Sequence, residues 1–145
     1  MPISPAEAQE IEDEWRAGLV KQLAGKAMGV EVIIMFDGLR RFDSDAGTWY
    51  SQSCTLQVQW TNKSNPQEGD WVDFTNGFNQ NGTYSNVFTR NVQKQIRFCA
   101  RQDFTAAQAY GKDISIRVRR TTPKAKENAR DTVYLLAVQT TCYGD

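Results

Sequence analysis

From Val30 onward, apolar and polar side chains alternate with a period of two in several short segments. This alternation is typical of β-strands with one buried face and one solvent-facing face. The segments are short, are separated by turn residues and do not alternate with long helices. We therefore expect a mainly β chain, folded as a seven-stranded antiparallel β-sandwich of the immunoglobulin or fibronectin III type. The predicted strands lie near residues 30–37, 53–60, 70–75, 84–90, 93–100, 113–120 and 132–140.

The residues between these strands predict how some of them connect. The sequence TNKSNPQEGD, residues 61–70, predicts an antiparallel hairpin between the second and third strands. Two Asn-Gly pairs in residues 76–84 predict tight turns. The alanine-rich residues 104–113 predict either a one-turn helix or a wide crossover between sheets.

The first 27 residues have a different pattern. Ser4, Pro5 and Glu7 match a helix N-cap, first turn and capping box. Apolar residues then recur every four positions, as on one face of a helix, at Ile11, Trp15, Leu19 and Leu23. The sequence therefore predicts an N-terminal amphipathic α-helix over 1–27 and a β-sandwich domain over 28–145.

The strand near 113–120 contains a row of arginines. Ile114, Ile116 and Val118 alternate with Ser115, Arg117 and Arg119, and Arg120 follows. The arginines could form a solvated face, a surface that docks onto another protein, or a nucleic-acid footprint. The sequence has neither a known nucleic-acid-binding motif nor aromatic residues interleaved with these bases, so we expect no nucleic-acid partner.

Charge is distributed unevenly along the chain, although it balances overall at 17 basic and 17 acidic residues. The first fifteen residues carry five acids and no base. One interpretation is that the acidic helix of one subunit meets the basic edge of another. Such a contact would fix how the two subunits align more than it would raise their affinity. The candidate docking residues are Arg117, Arg119, Arg120, Ile11, Trp15 and Leu19.

Composition makes several kinds of chemistry improbable. The chain has no histidine, which removes the commonest general base and metal ligand. Its three cysteines are far apart and form no CxxC pair, so we interpret Cys54, Cys99 and Cys142 as reduced core residues. Asp43 and Asp45 could hold a cation or act as an acid/base pair, but the other ligands of a calcium loop are missing. We expect no cofactor, no metal and no enzymatic activity.

Aromatic residues keep a second binding function open. Trp49 and Tyr50 could stack on a sugar, which would make the chain a carbohydrate- or receptor-binding module. No apolar run reaches membrane-spanning length, and the acidic N-terminus is unlike a signal peptide. We expect synthesis and folding in the cytoplasm, without membrane insertion.

Short sequence segments in the C-terminal third resemble those of a known family. In KDISIRVRRTTPKAKENARDTVYLLAVQTTCYGD, a strand ends in Arg119-Arg120, a Thr122-Pro123 turn follows, and a strand then leads to Cys142-Tyr143. This succession is similar to a segment of the host-specificity proteins at the tail tip of long-tailed bacteriophages, the J-type central tail proteins. Residues 29–60 are similar, as a pattern only, to an earlier strand pair of that family.

The resemblance implies a fibronectin-III-like domain inserted in a longer hub chain that forms a trimer around the tail axis. It implies a structural or docking role in tail assembly and host attachment, in the virion tail of a phage or prophage assembled in the bacterial cytoplasm. The implied partners are other tail-tip hub domains or subunits and a host-surface receptor. This chain is shorter than the family's full proteins, and the family offers no counterpart for the predicted N-terminal helix.

Overall fold

The computed structural model describes residues 8–20, 28–109 and 111–142, and these are mainly β-strand. Helical structure in these ranges is limited to one α-helical turn, α1 (Ala106–Ala109), and one 3-10 turn (Glu68–Asp70). The strands are β1 (Gln9–Glu10), β2 (Arg16–Val20), β3 (Met28–Phe36), β4 (Arg40–Asp43), β5 (Thr48–Tyr50), β6 (Gln52–Thr61), β7 (Val72–Asp73), β8 (Phe78–Gln80), β9 (Thr83–Ser85), β10 (Val87–Arg90), β11 (Ile96–Asp103), β12 (Ile114–Arg120), β13 (Ala129–Arg130) and β14 (Val133–Cys142).

The strands form three antiparallel sheets. The largest has the order β1-β14-β3-β11-β8-β9, and the second has the order β10-β6-β12-β2, with β7 also paired to β6. A small third sheet has the order β13-β4-β5. The two large sheets contribute side chains to one apolar core, so the architecture is sandwich-like and the predicted mainly β class is confirmed. The predicted count of seven strands is too low, even for the described residues alone.

The core is built from the apolar positions of the alternating segments. The three apolar residues of β12 are almost completely buried against the opposite sheet, as are those of β6. Four phenylalanines pack edge-on or tilted at the centre, with Phe36 and Phe88 5.0 Å apart and Phe88 and Phe98 4.9 Å apart between ring centroids. Burial of such side chains stabilises the fold by about 1.5–3 kcal/mol each before chain entropy is counted. The side chains named here are Leu56, Val58, Trp60, Ile114, Ile116, Val118, Phe36, Phe78, Phe88 and Phe98.

The predicted N-terminal helix is wrong over residues 8–20. Gln9 and Glu10 form β1 at the edge of the six-stranded sheet, and Arg16–Val20 forms β2 at the edge of the five-stranded sheet. The four-residue spacing does not mark one face in this structure, since Ile11 is buried in the core, whereas Trp15 precedes β2 and is only partly buried. Residues 9–10 and 16–20 instead form backbone hydrogen bonds along the edges of β14 and β12. Ser4, Pro5, Glu7 and Leu23 lie outside the described residues.

Two of the predicted connections are confirmed. β6 and β7 pair as an antiparallel hairpin, although only two residues on each strand are paired. Asn81 and Gly82 connect β8 to β9 with φ angles of 64° and 94°. Both angles are positive, as a two-residue type I′ turn requires, and Asn-Gly is the sequence that adopts them at least cost. Residues 106–109 form the one-turn helix, and the segment that contains it also crosses from β11 in the six-stranded sheet to β12 in the five-stranded sheet.

Two predicted segments differ in detail. The single strand expected at 84–90 is divided at Asn86, so that β9 belongs to one large sheet and β10 to the other. Between the first two predicted strands, β4 and β5 form a hairpin that was not predicted; Asp43 ends β4 and Asp45 lies in the turn. Within the described ranges, no helix has the length and apolar character needed to span a bilayer.

Candidate functional site

Strand β12 places arginines on both sides of the five-stranded sheet. Arg117 and Arg119 alternate with the buried Ile116 and Val118, so they project from the outer side. Arg120 has the parity of the buried residues, and its side chain is only 2% exposed. The expectation that Arg120 belongs to the solvent-exposed row of arginines is therefore wrong, because period-two alternation turns its side chain inward.

On the outer side, aromatic rings and guanidinium groups alternate in a single stack. The guanidinium carbon of Arg117 lies 4.3 Å from the ring centroid of Trp71 and 4.0 Å from that of Trp15. The guanidinium carbon of Arg119 lies 4.3 Å from the ring centroid of Trp15. We call these four residues, Trp71, Arg117, Trp15 and Arg119, the Trp–Arg stack. Such cation–π contacts contribute about 0.5–2 kcal/mol each, and the larger values apply where water is excluded from the contact.

Polar side chains hold Arg117 within this stack. Its two terminal nitrogens donate to the two carboxylate oxygens of Glu68 at 3.0 and 3.1 Å, and its Nε donates to Gln59 at 2.8 Å. The hydrogen bonds and charge of Arg117 lower the pKa of the exposed Glu68 carboxyl. The guanidinium is stacked, hydrogen-bonded and nearly buried, with 7% exposure, so Arg117 is chiefly a structural element of the surface.

Arg119 is held less completely. Its Nε donates to Gln57 at 3.1 Å, and Gln57 in turn donates to Asp73 at 3.2 Å. Among the described residues, no carboxylate lies within ion-pair distance of Arg119. Its side chain is half-buried and held by Trp15 and Gln57, and its terminal nitrogens have no hydrogen-bond partner among the described residues. The stack therefore presents a preorganised cation next to an indole ring.

On the inner side, Arg120 fixes the segment that follows it. Its side chain pairs with Asp131 at 3.0 Å, and both side chains are 2% exposed. It also donates to the backbone oxygens of Asp131 at 2.8 Å and Thr122 at 2.9 Å. The same carboxylate accepts a hydrogen bond from the backbone of Ala125 at 2.9 Å. We call residues 121–132 the strap, since this ion pair ties both of its ends to the core.

Of the N-terminal docking candidates, Trp15 is the one whose described side-chain contacts place it on the outer surface. Ile11 is completely buried in the core, so it is not available to a partner in this conformation. Leu19 lies in β2 opposite Ser115 of β12, and its side chain lies outside what the structure describes. The structure thus brings Trp15, Arg117 and Arg119 together and separates Ile11 and Arg120 from them.

The sugar-binding candidates lie on the β4–β5 hairpin, away from β12. Arg40 covers one face of the Trp49 ring, with its guanidinium carbon 3.8 Å from the centroid, and the Phe42 ring packs at 5.2 Å. Tyr50 is exposed, and the guanidinium carbon of Arg41 lies 5.1 Å from its ring centroid. A sugar that stacked on Trp49 would have to compete with Arg40 for that ring face.

The paired carboxylates of the sequence have a local role. Asp43 Oδ1 accepts hydrogen bonds from the backbone N–H groups of Asp45 at 2.9 Å and Ala46 at 3.2 Å. This is the usual Asx arrangement of a tight turn. In the part of the chain that the structure describes, no group of three or more potential metal-ligating side chains is present.

The described cysteines are free thiols. Cys54 is buried, and this burial raises its pKa. Cys99 is only partly buried; burial and a hydrogen bond from its thiol to Glu31 raise its pKa to about 12. Thiols with raised pKa values are poor nucleophiles at neutral pH. The side chain of Cys142 lies outside the described residues.

Sequence reasoning missed several members of the outer surface. Gln57 and Gln59 alternate with the buried residues of β6, so their outward direction was visible in the sequence. Their position beside Arg119 and Arg117 follows only from the register of β6 against β12. Glu68 and Trp71 come from the connection after β6, and no local pattern predicts their contact with Arg117.

Comparison with known proteins finds no family model that matches this chain and no curated protein with a matching sequence.

Proposed function

We propose that this chain is a non-enzymatic docking module of a bacteriophage or prophage tail tip, with a fibronectin-III-like sandwich. Its partner would be another hub domain or subunit of the tail, and a homotrimer in the assembled tail is one such arrangement. Two things support this proposal: the sandwich-like fold, and the resemblance of residues 112–145 to tail-tip host-specificity proteins.

The Trp–Arg stack is the observation that carries the docking function. Tryptophan and arginine are the residues most enriched at the energetic centres of protein interfaces. The stack holds Arg119 and Trp15 in fixed positions, which reduces the side-chain entropy lost on binding. Exposed Val72 adjoins Trp71 in the chain and adds apolar surface at the edge of the same sheet. The free nitrogens of Arg119 suit a carboxylate or a backbone carbonyl of the partner.

The carbohydrate- or receptor-binding alternative has less support. Arg40 occupies one face of Trp49, whereas stacking on a sugar requires an open ring face. Enzymatic roles also have little support, since the chain has no histidine and Asp43 is engaged in its own turn.

Substitution of Arg119 by glutamate tests the docking function. The products of genes that neighbour its own would be co-expressed with the wild-type chain or with Arg119→Glu, and complexes would be measured by size-exclusion chromatography with light scattering. We expect Arg119→Glu to remain folded but to lose at least about tenfold in affinity, because a cation is replaced by an anion at the contact.

Arg97→Glu is the matched control, since it makes the same charge change in β11, in the other large sheet. Equal complex formation by wild type and Arg119→Glu would contradict the docking function. Saturable binding to a defined sugar on a glycan array, lost in Trp49→Ala, would instead support the carbohydrate-binding alternative.

A further inference from the structure

The small three-stranded sheet collects arginines that have no acidic partner. Arg40 and Arg130 are opposite each other in the register of β4 and β13, and Arg41 follows Arg40. Among the described residues, none of the three forms an ion pair or donates a side-chain hydrogen bond, and the buried Nε of Arg40 is unsatisfied. We call Arg40, Arg41 and Arg130 the arginine cluster.

This arrangement is unfavourable in the isolated chain. Like charges directly opposite each other on neighbouring strands destabilise a sheet. Aromatic rings offset part of this repulsion, since Arg40 lies over Trp49 and Arg41 lies near Tyr50. The same rings restrict the guanidiniums of Arg40 and Arg41, and Arg41, Arg130 and Tyr50 are exposed to solvent. The cluster is therefore a cationic surface without an ion-pair partner among the described residues.

A complementary surface lies near the N-terminus of the described chain. Glu12, Asp13 and Glu14 are exposed and consecutive, and we call them the acidic turn. Glu12 pairs with Arg16 at 2.9 Å, and the nearby Lys124 pairs with Glu10 at 2.9 Å. No base pairs with Asp13 or Glu14 in the described ranges.

Backbone hydrogen bonds hold the acidic turn in place. Ile11 N–H donates to the carbonyl of Val133 at 2.7 Å, and Arg120 N–H donates to the carbonyl of Glu12 at 2.8 Å. The side chain of Ile11 is completely buried beside them. The turn is thus attached to both large sheets, which limits the backbone entropy that a contact would remove.

We propose that the acidic turn of one copy of this chain docks onto the arginine cluster of a second copy. Charge complementarity selects this occupant: the chain has no net charge, and among the described residues the arginine cluster has no ion-pair partner and neither do Asp13 and Glu14 of the acidic turn. Arginine forks pair with two carboxylate oxygens at once, so adjacent Asp13 and Glu14 suit Arg41 and Arg130. The proposal assigns a specific contact between copies within the proposed docking function, and it uses residues outside the Trp–Arg stack.

Sedimentation velocity of the purified chain at low and high salt tests this self-association. We expect reversible association at low ionic strength that weakens in high salt, because exposed charges are screened. Arg41→Glu with Arg130→Glu should weaken association by at least about tenfold, and Asp13→Lys with Glu14→Lys should do the same. A 1:1 mixture of these two double variants should associate again, since each supplies the charges that the other lacks.

The control is Lys63→Glu with Arg97→Glu, a double charge reversal outside both surfaces, which should associate like wild type. Melting temperatures of all variants show whether each remains folded. A wild-type chain that stays monomeric at low salt would overturn the proposal, as would a mixture that fails to associate. Binding of heparin or single-stranded DNA by a monomeric wild-type chain, lost in Arg41→Glu with Arg130→Glu, would overturn it in favour of a polyanion.

These outcomes are separable from those of the docking test. Arg119→Glu leaves the arginine cluster and the acidic turn unchanged, so it should not alter self-association. Loss of self-association in Arg119→Glu alone would assign the contact between copies to the Trp–Arg stack and contradict the pairing proposed here.

Discussion

The two sides of β12 use the same residue type for different purposes. Inside, Arg120 and Asp131 form an ion pair at 3.0 Å with 2% exposure on each side chain. Outside, Arg117 pairs with Glu68 at the same distance, but Glu68 is 83% exposed. The inner pair holds the strap against the core, whereas the outer pair lies at the Trp–Arg stack. Burial, rather than distance, separates these two ion pairs.

The difference shows how an arginine can be structural on either side of a sheet. A buried ion pair is costly to assemble and more costly to break, since removal of one partner leaves an unpaired charge in the core. An exposed ion pair contributes little, because water solvates both groups almost as well apart as together. Outside, the stacking of Arg117 between Trp15 and Trp71 therefore contributes more than its pairing with Glu68.

The largest expected effect follows from breaking the inner pair. Asp131→Ala leaves the Arg120 guanidinium buried without a counter-charge and removes the carboxylate that binds Ala125. We expect the free energy of unfolding to fall by about 3–5 kcal/mol. Urea unfolding followed by circular dichroism measures this change.

Arg119→Ala is the control on the outer side of the same strand, and it should cost less than about 1 kcal/mol. Replacing both members of the inner pair, Arg120→Met with Asp131→Leu, should recover most of the loss, because apolar groups of similar size can fill a buried pair's place. Equal destabilisation by Asp131→Ala and Arg119→Ala would contradict the inner–outer distinction.

A smaller effect is expected from breaking the stack. Arg117→Ala removes two cation–π contacts, and we expect a loss of about 1–2 kcal/mol in the free energy of unfolding. Tryptophan fluorescence during urea unfolding measures this loss, and Trp15 and Trp71 contribute to the signal together with Trp49 and Trp60. Arg117→Lys keeps the charge but not the planar group, so it should recover only part of the loss. Full recovery by lysine would indicate that charge, and not stacking, holds this surface together.

The smallest effect concerns pH. The pKa of Glu68 is lowered in the folded chain by hydrogen bonds from Arg117, so its pairing contributes stability above the ordinary value of 4.5. That contribution is lost as the pH falls through the lowered pKa, where the carboxyl becomes protonated. We expect wild type to be slightly more stable than Glu68→Gln at neutral pH and equal to it in acid. Unfolding curves of both proteins across this range check the sign, and a difference that grows on acidification would contradict it.

The prediction of the core from the sequence succeeded where one face of a strand is buried. Ile114, Ile116 and Val118 lie inside, because alternation is a property of each strand by itself. The same alternation turns Arg120 inward, but we expected it on the outer face because of its charge, and that expectation is wrong. The N-terminal segment was mispredicted because its four-residue spacing suggested one helical face, whereas pairing with β14 and β12 places Ile11 in the core and Trp15 on the outer surface.

The sequence by itself determined the mainly β class, the tight turn at Asn81-Gly82 and the inward or outward direction of the side chains in β6 and β12. These depend on local backbone geometry and period-two alternation. Tertiary structure alone decided that Arg117 lies between Trp15 and Trp71, and that Arg40 lies opposite Arg130. Those contacts join residues far apart in the chain, so they depend on strand register and sheet packing, which no local pattern specifies.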